Sequence, residues 1–338
     1  MPASKHSVKI NVDLGEGYGN FKCGPDEELI PLIDHANVAC GFHAGDPLIM
    51  QQTVRECKTH NIAVGAHPGL PDIQGFGRRE IKMSPEELTA MTRYQVGALK
   101  AFLDAEDMPL HHVKPHGVLY GMMYRDKEIC RAVYEGVPKG TTVFGLAGTF
   151  HEEVAEELGL PFVAELYGDV KYSKDGRLVI DRKKKPWRPE EAQAHIKSQV
   201  ENGTVTAVTG EEVQLPIGDH QVSLCCHSDS PGAVEIVTAA RQIVDQFNKK
   251  ITYTSSFKTN MFCFRRFAPI WSVVAVVTLL FLVTRIKPEH HYPQQEEAIY
   301  YRSVDTLFTS EKDALMEWTR SSKQPELEWE PAEEPTVG

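Results

Sequence analysis

The amino-acid sequence predicts a barrel of parallel strands, each joined to the next by a helix. Over residues 1–250, seven short apolar segments alternate with amphipathic stretches of helical spacing, which is typical of repeated β/α units. Nearly every apolar segment ends in ionisable residues, and parallel α/β folds bind ligands beyond the carboxyl ends of their strands. Ionisable groups from six strands converge more readily on one rim of a closed barrel than along an open sheet. We therefore expect a (β/α) barrel with its active site on that rim.

The individual elements follow from short-range patterns. Ser84, Pro85 and Glu87 form the clearest helix start, because they supply an N-cap, a proline at the first helical position and the partner residue of a capping box. The predicted strands are Val8–Val12, Ala36–Cys40, Ile62–Ala66, His112–Lys114, Val143–Leu146, Phe162–Glu165 and Val222–Cys226. The predicted helices lie near residues 46–60, 84–106, 126–136, 149–159, 189–202 and 232–248.

Composition narrows the class of protein. The 338 residues are 41% hydrophobic and 25% charged, which is ordinary for a globular chain and excludes wholesale disorder. The formal net charge is −11, and residues 1–250 are acidic without a basic stripe, so nucleic acid is not expected as a partner. The seven cysteines are scattered, without a C-x-x-C pair, and the first residues contain no apolar signal segment. We expect a body in the reducing cytoplasm.

The sequence changes character after residue 250. We expect a basic linker over 251–266, a single transmembrane helix over 267–286 and an acidic, mostly disordered tail over 287–338. The uncharged run Phe267–Thr284 comes close to the roughly 20 residues that cross a bilayer, and the excess of basic residues before it would leave the body in the cytosol. Two alternatives remain open, namely a buried core helix and an artefactual fusion of neighbouring coding sequence.

Carboxylates follow the first predicted strand. Asp13 and Glu16 lie within the glycine-rich segment Asn11–Gly19, whose glycines allow the backbone to turn sharply and aim both acids at the rim. Such a pair could act as a general base or hold a cation, or it could merely cap nearby backbone amides.

Histidines and an arginine follow the second and third strands. His43 lies between two glycines and has no apolar face to pack into, whereas Asp46 before Pro47 reads first as a helix N-cap. His67 ends the third strand before Pro-Gly. Arg78 offers a planar fork for a carboxylate or phosphate, or it is simply an exposed charge.

The sharpest local signal is the segment from His112 to Tyr120. In an extended run Lys114 and His116 point to one face, and Pro115 prevents a helix from beginning between them. This pair suits anion binding combined with proton transfer, while His112 lies deeper and could be a hydrogen-bonded core residue. The sixth strand ends near Glu165. After the last strand, Asp229 could be a base or could orient His227.

These motifs resemble those of the LamB/YcsF family, whose bacterial members are the A subunits of 5-oxoprolinase. The matching segments occur in the same order over residues 8–248: Asn11–Gly19 (NVDLGEGYG), Ala36–Asp46 (ANVACGFHAGD), Val64–Gly69 (VGAHPG), Gly75–Arg79 (GFGRR), Val113–Tyr120 (VKPHGVLY), Gly145–Gly148 (GLAG) and Cys226–Val234 (CHSDSPGAV). The resemblance implies an irregular (β/α)7 barrel of the glycoside hydrolase/deacetylase type. It also implies ATP-dependent opening of the lactam 5-oxo-L-proline to L-glutamate, together with the B and C subunits as partners or a fused equivalent.

The resemblance suggests roles for the rim residues. Because the chain contains no P-loop motif, we expect ATP with Mg²⁺ to act through the partner subunits, an unrecognised site in this chain being the alternative. We expect no tightly bound metal. The catalytic candidates are Asp13, Glu16, His43, His67, His116 and Asp229. The candidates for binding substrate or anion are Arg78, Lys114, Glu165 and His227.

Two other functions remain open. One is a metal-dependent deacetylase, in which Asp13, His43 and His67 would hold the ion. The other is a non-catalytic subunit that only binds 5-oxoproline or acts as a scaffold. The chain departs from the family pattern at Val170, where many members have arginine and where Lys171 could substitute, and at Ser228, where glycine is common. Residues 181–188 also differ, which bears on the range of substrates.

Overall fold

The computed structural model describes residues 6–180 and 184–267, with side chains described as far as Thr252. The strands are β1 Val8–Leu14, β2 His35–Ala39, β3 Ala63–His67, β4 His112–Val113, β5 Thr142–Gly145, β6 Phe162–Tyr167, β7 Lys171–Tyr172, β8 Leu178–Val179, β9 Thr204–Thr206, β10 Glu212–Gln214 and β11 Val222–His227. The helices are α1 Asp26–Leu29, α2 Pro47–Thr59, α3 Pro85–Ala105, α4 Gly117–Arg125, α5 Lys127–Glu135, α6 Phe150–Leu158, α7 Pro189–Asn202 and α8 Ala233–Phe267. A short 3₁₀ helix, Ile30–Leu32, follows α1.

Seven of these strands form a closed parallel barrel, which confirms the predicted (β/α) barrel. Their order around the barrel is β1, β11, β6, β5, β4, β3, β2 and back to β1. The closure matters for the site, because β1 pairs at once with β2, the next strand in the chain, and with β11, the last. In that register Asp13 lies beside Asn37 on one side and beside His227 on the other. The remaining strands pair as two small antiparallel sheets, β7 with β8 and β9 with β10.

Two predicted helix starts are confirmed in atomic detail. Ser84 and Glu87 form both hydrogen bonds of a capping box at α3. Asp46 caps α2, because its carboxylate accepts hydrogen bonds from the backbone N–H groups of Leu48 and Ile49. Helix α4 was not predicted. It begins directly after His116, since Pro115 blocks helix formation only for the residues before it.

Alternate residues of β1 face opposite environments. Val8, Ile10 and Val12 are fully buried in the hydrophobic core, whereas Asn11 points into the barrel. The interior is polar: Asn11 Nδ2 donates to Ser223 Oγ at 2.8 Å, Asn37 Nδ2 donates to Asn11 Oδ1 at 2.7 Å, and His112 Nε2 donates to Asn37 Oδ1 at 2.7 Å. This network forms a hydrogen-bonded base beneath the rim, and His112 belongs to it.

The predicted membrane anchor is contradicted. Among the described residues, no helix is both long enough and apolar enough to cross a bilayer. Helix α8 has the length, but charged side chains such as Arg241, Asp245 and Lys250 interrupt its apolar character. The range predicted as a basic linker, 251–266, falls within α8. Residues 268–286 of the predicted span and the tail 287–338 lie outside the described residues.

Candidate active site

The centre of the site is a buried ion pair between β1 and the residue that follows β4. Lys114 Nζ donates to Asp13 Oδ1 at 2.6 Å, and Asn37 Nδ2 donates to the same oxygen at 2.8 Å. Both charged side chains are only 2% exposed. Burial alone would lower the pKa of Lys114, but the facing Asp13 carboxylate raises it well above its ordinary value. Burial alone would raise the pKa of Asp13, but His67 and Lys114 hold it well below its ordinary value, so both shifts favour the ionised pair.

Beside this pair lies a cluster of three histidines and a carboxylate. His43 Nε2 lies 3.0 Å and His116 Nδ1 3.2 Å from Glu16 Oε1, and His67 Nε2 lies 2.9 Å from His116 Nδ1. All four residues are buried. The rings of His43 and His116 stack with their centroids 3.6 Å apart. Burial, followed by the neighbouring His116, lowers the pKa of His43 to about 3, so that its imidazole is neutral.

The second glycine of the Gly75–Arg79 motif, Gly77, allows the rings of His43 and His116 to stack. Gly77 has a φ of +61°, and a Cβ there would lie 2.7 Å from His43 Cβ and 2.8 Å from His116 Cδ2. Any other residue at this position would be strained in its backbone and would collide with both side chains.

A second carboxylate–histidine pair lies at the end of β11. His227 Nδ1 donates to Asp169 Oδ1 at 2.7 Å, and Ser230 Oγ donates to the other oxygen of Asp169. Burial alone would raise the pKa of Asp169, but the charges of His227 and Lys184 hold it well below its ordinary range. His227 Nε2 is directed towards Asp13 Oδ2, 3.6 Å away. Asp169 therefore fixes the orientation of His227.

Further ion pairs surround these groups. Arg78 Nη2 lies 2.6 Å from Asp229 Oδ2, and Lys184 Nζ lies 2.7 Å from Asp229 Oδ1.

Glu165 lies deeper, where it accepts hydrogen bonds from Tyr167 OH at 3.0 Å and from Asn11 Nδ2 at 3.4 Å. Burial raises the pKa of Glu165.

These elements enclose a cavity of about 300 Å³ at the carboxyl end of the barrel. Among the described residues, ten acidic or basic side chains line it: Asp13, Arg78, Lys114, His116, Asp169, Lys171, Lys184, Lys185, Glu191 and His227. Trp187 and Val170 contribute part of the apolar wall. The cavity is thus suited to a small anionic ligand with a short apolar portion.

The structure brings most of the predicted site residues together. A continuous chain of contacts of 3.9 Å or less joins seven of them: Asp13, Glu16, His43, His67, Lys114, His116 and His227. Arg78 and Asp229 pair with each other at the edge of the cavity, and Glu165 is linked to the group through Asn11 and Asn37.

Sequence reasoning assigned no role to Asn37, Asp169 or Lys184. Asn37 was detectable as an amide inside an otherwise apolar strand, and Asp169 as the acid that follows the sixth strand. Lys184 lies in the segment that departs from the family pattern, and no sequence signal separated it from the neighbouring lysines. Asp169, rather than Asp229, is the residue that orients His227.

The departures from the family pattern occupy defined places. Val170 lines the cavity, and Lys171 lies 3.3 Å from Glu191 and above the ring of Trp187. Ser228 is 2% exposed and contacts Gly24, where a Cβ would lie 2.5 Å from Ser228 Cβ. On this side of the cavity Lys184, rather than Lys171, contacts Asp169 and Asp229.

Two groups among the described residues could hold a metal ion. One consists of Glu16, His43, His67 and His116; the other consists of Asp13, Cys225 and His227. Neither is the set Asp13, His43 and His67 of the deacetylase alternative. Asp13 and His67 do approach to 3.1 Å, but His43 faces Glu16 instead.

Comparison with known proteins identifies the family of the chain. Residues 8–259 match the model of the LamB/YcsF family. The chain is 64% identical over 250 residues to lactam utilization protein lamB of Emericella nidulans, covering 74% of this chain and 99% of that protein. It is 42% identical over 257 residues to the 5-oxoprolinase A subunit of Pyrococcus abyssi, covering 74% of this chain and 98% of that protein. The crystal structure of the lactam utilization protein from Thermus thermophilus superposes with a TM-score of 0.65 at 43% identity, covering 71% of this chain and 97% of that one. The chain belongs to the LamB/YcsF family.

Proposed function

We propose that this protein is the A subunit of an ATP-dependent 5-oxoprolinase, which opens 5-oxo-L-proline to L-glutamate together with the B and C subunits. The relatives named above support the reaction class. The single observation that carries the proposal is the buried Lys114–Asp13 pair on the wall of a cavity whose other cations include Arg78 and Lys184. Such a cavity favours a small carboxylate, and 5-oxoproline carries one.

The cations divide into one held deeply and two near the edge. Lys114 has three N–H donors, of which Asp13 takes one, so that the ammonium can also donate to an oxygen in the cavity. Arg78 and Lys184 both contact Asp229, which limits how far either can move. We assign Lys114 to an oxygen of the lactam and the edge cations to the substrate carboxylate.

The amide of a lactam is stabilised by resonance, and water attacks it very slowly at neutral pH. Phosphorylation of the amide oxygen would create a better electrophile and would couple ring opening to ATP. The chain contains no P-loop motif, so we assign the nucleotide chemistry to the partner subunits. Donors already oriented around the developing oxyanion would lower the barrier, and Lys114 is such a donor.

His227 is the best-placed group for proton transfer. Asp169 holds its Nδ1, which leaves Nε2 directed into the site beside Asp13. A carboxylate that orients a histidine in this way keeps one ring nitrogen available as an acid or base. Asp13 is less suited to act as a base, because Lys114 and Asn37 already occupy one of its oxygens.

The test is glutamate release from 5-oxo-L-proline by the full chain, with ATP and with the B and C subunits of a 5-oxoprolinase. We expect His227→Gln to lower kcat by about 100-fold or more, because general acid–base groups contribute roughly 10²–10⁴-fold. His220→Gln is the matched control. His220 precedes the first residue of β11 and contacts Glu152, and neither residue lines the cavity, so this variant should retain its turnover.

Ligand binding supplies an independent readout. Isothermal titration calorimetry of the chain alone should detect 5-oxo-L-proline, and Arg78→Ala should weaken that binding. Absence of ATP-dependent turnover in the assembled complex, with intact binding, would favour the non-catalytic subunit instead. Equal turnover by His227→Gln and His220→Gln would remove His227 from the mechanism.

A further inference from the structure

Two backbone carbonyls determine which ring nitrogens of the histidine cluster carry protons. His67 Nδ1 lies 2.6 Å from the carbonyl oxygen of Lys114, and His116 Nε2 lies 2.9 Å from that of Phe76. A carbonyl oxygen can only accept a hydrogen bond, so each of these nitrogens must donate. In the neutral imidazole the other nitrogen then holds a lone pair. For His67 this is Nε2, and for His116 it is Nδ1.

Those two lone pairs face each other. His67 Nε2 and His116 Nδ1 are 2.9 Å apart. Two carboxylate oxygens, which are also acceptors, lie close by: Glu16 Oε1 is 3.2 Å from His116 Nδ1, and Asp13 Oδ2 is 3.1 Å from His67 Nε2. Four acceptor atoms in such proximity repel one another unless a proton or a metal cation lies between them. The surroundings are buried, so water does not screen that repulsion.

We propose that Glu16, His67 and His116 bind one divalent transition-metal ion of the zinc type, contrary to the expectation of no tightly bound metal. Two histidines and one glutamate are a known ligand set of catalytic zinc sites. In a tetrahedral site with metal–ligand bonds of about 2.0–2.1 Å, neighbouring ligand atoms are about 3.3 Å apart. The three ligand atoms here are separated by 2.9, 3.2 and 3.9 Å, which brackets that spacing.

The surrounding groups complete the arrangement expected of a metal centre. Histidine ligands usually donate their second N–H to a carbonyl or carboxylate, which fixes the ring. The carbonyls of Lys114 and Phe76 do this here. His43 Nε2 donates to Glu16, so the other ring nitrogen of the neutral imidazole, the buried Nδ1, carries a lone pair and no proton. Asp13 and His116 line the cavity, so a fourth ligand can come from Asp13 or from an oxygen that enters there.

The metal site is inferred from the tautomers of His67 and His116 and from the distances between the three ligand atoms. It therefore does not depend on the proposed lactam chemistry. Its test therefore needs neither substrate nor partner subunits. The full chain, purified without a histidine tag, should contain close to one equivalent of zinc by mass spectrometry when it is produced in zinc-supplemented medium. After chelation, the protein should take up Zn²⁺ in competition with a chromophoric chelator. Co²⁺ should bind with the intense visible absorption of a tetrahedral site.

Variants locate the ion. Glu16→Gln and His116→Gln should weaken Zn²⁺ binding by at least about 100-fold, since loss of a mere partner of a ligand costs about 10–100-fold. His151→Gln is the matched control, because His151 is an equally buried barrel histidine that donates to a backbone carbonyl, that of Tyr120, outside the cluster. It should bind Zn²⁺ like the unaltered chain.

Three results would overturn the proposal. One is an unaltered chain that neither contains nor takes up zinc. Another is zinc uptake that Glu16→Gln and His116→Gln leave unchanged, which would place the ion elsewhere. The third is an equal loss in His151→Gln, which would trace the effect to general damage of the barrel. The Co²⁺ spectrum of the unaltered chain keeps the proposal testable even if a variant fails to fold.

Discussion

Replacing Lys114 by methionine removes a buried charge while keeping the approximate length of the side chain. Its partner Asp13, which is 2% exposed, would lose the ammonium that now lies 2.6 Å away. Removing one member of a buried ion pair costs about 3–5 kcal/mol, because the other charge is left uncompensated. For a domain of this size, 1 kcal/mol corresponds to about 2–4 °C in Tm, so we expect Tm to fall by roughly 6–20 °C.

The measurement is thermal and urea unfolding of the full chain, followed by circular dichroism. Lys100→Met is the matched control, because Lys100 pairs with Asp104 on the surface of α3, where the two side chains are 51% and 60% exposed. Such a pair contributes at most about 0.5 kcal/mol, so this variant should unfold nearly like the unaltered chain.

A double variant separates the ion pair from other effects. If the cost arises from the unpaired Asp13 charge, Asp13→Asn combined with Lys114→Met should be more stable than the sum of the two single changes predicts, by about 1–3 kcal/mol. Two outcomes would refute the reasoning. One is a double variant whose loss of stability equals the sum of the losses in the two single variants. The other is a Lys114→Met variant that loses no more stability than Lys100→Met.

Three further predictions concern the scaffold. Gly65→Ala should lower the free energy of unfolding by about 1–3 kcal/mol, because the new methyl group would lie 2.4 Å from the buried ring of His112. Gly97→Ala, in open space on α3, should instead raise the free energy of unfolding by about 0.5–1 kcal/mol. Urea unfolding that reverses this order would contradict the packing argument. Ser84→Ala should cost about 1 kcal/mol through loss of the capping box of α3, and a change of less than a few tenths, measured in the same way, would count against that cap. Burial would raise the pKa of Asp34, but the Ile10 N–H and Arg241 hold it below its ordinary value. The stability that Asp34 adds over Asp34→Asn should therefore be complete above about pH 5 and should decline as the pH falls through about 4 and below; a difference independent of pH would argue against it.

Much of the barrel was predictable because it depends on short-range patterns. The alternation of apolar strands with amphipathic helices predicts seven barrel strands, and all seven are present. The capping box at Ser84 and the N-cap at Asp46 are determined by residues three or fewer positions away. The unpredicted helix α4 shows the limit of such rules, because a proline marks where a helix cannot run but not where the next one begins.

Within the candidate site, the spacing of Lys114 and His116 correctly predicts that both face one cavity, since side chains two apart in an extended segment share a face. The sequence did not predict which charged residues pair with each other. Asp229 is two residues from His227, yet it pairs with Arg78 across 151 positions, while Asp169 reaches His227 across 58.

The sequence by itself determined the β/α repeat, the helix caps and the concentration of acids and histidines at the ends of the strands. The tertiary structure decided that Asp13 lies between Asn37 and His227, that Lys184 joins the cavity, and that the lone pairs of His67 and His116 face each other. The physical reason is the range of the forces involved. Helix and strand preferences act over a few residues, whereas closure of the barrel joins β1 to β11 and sets a register between residues more than 200 positions apart.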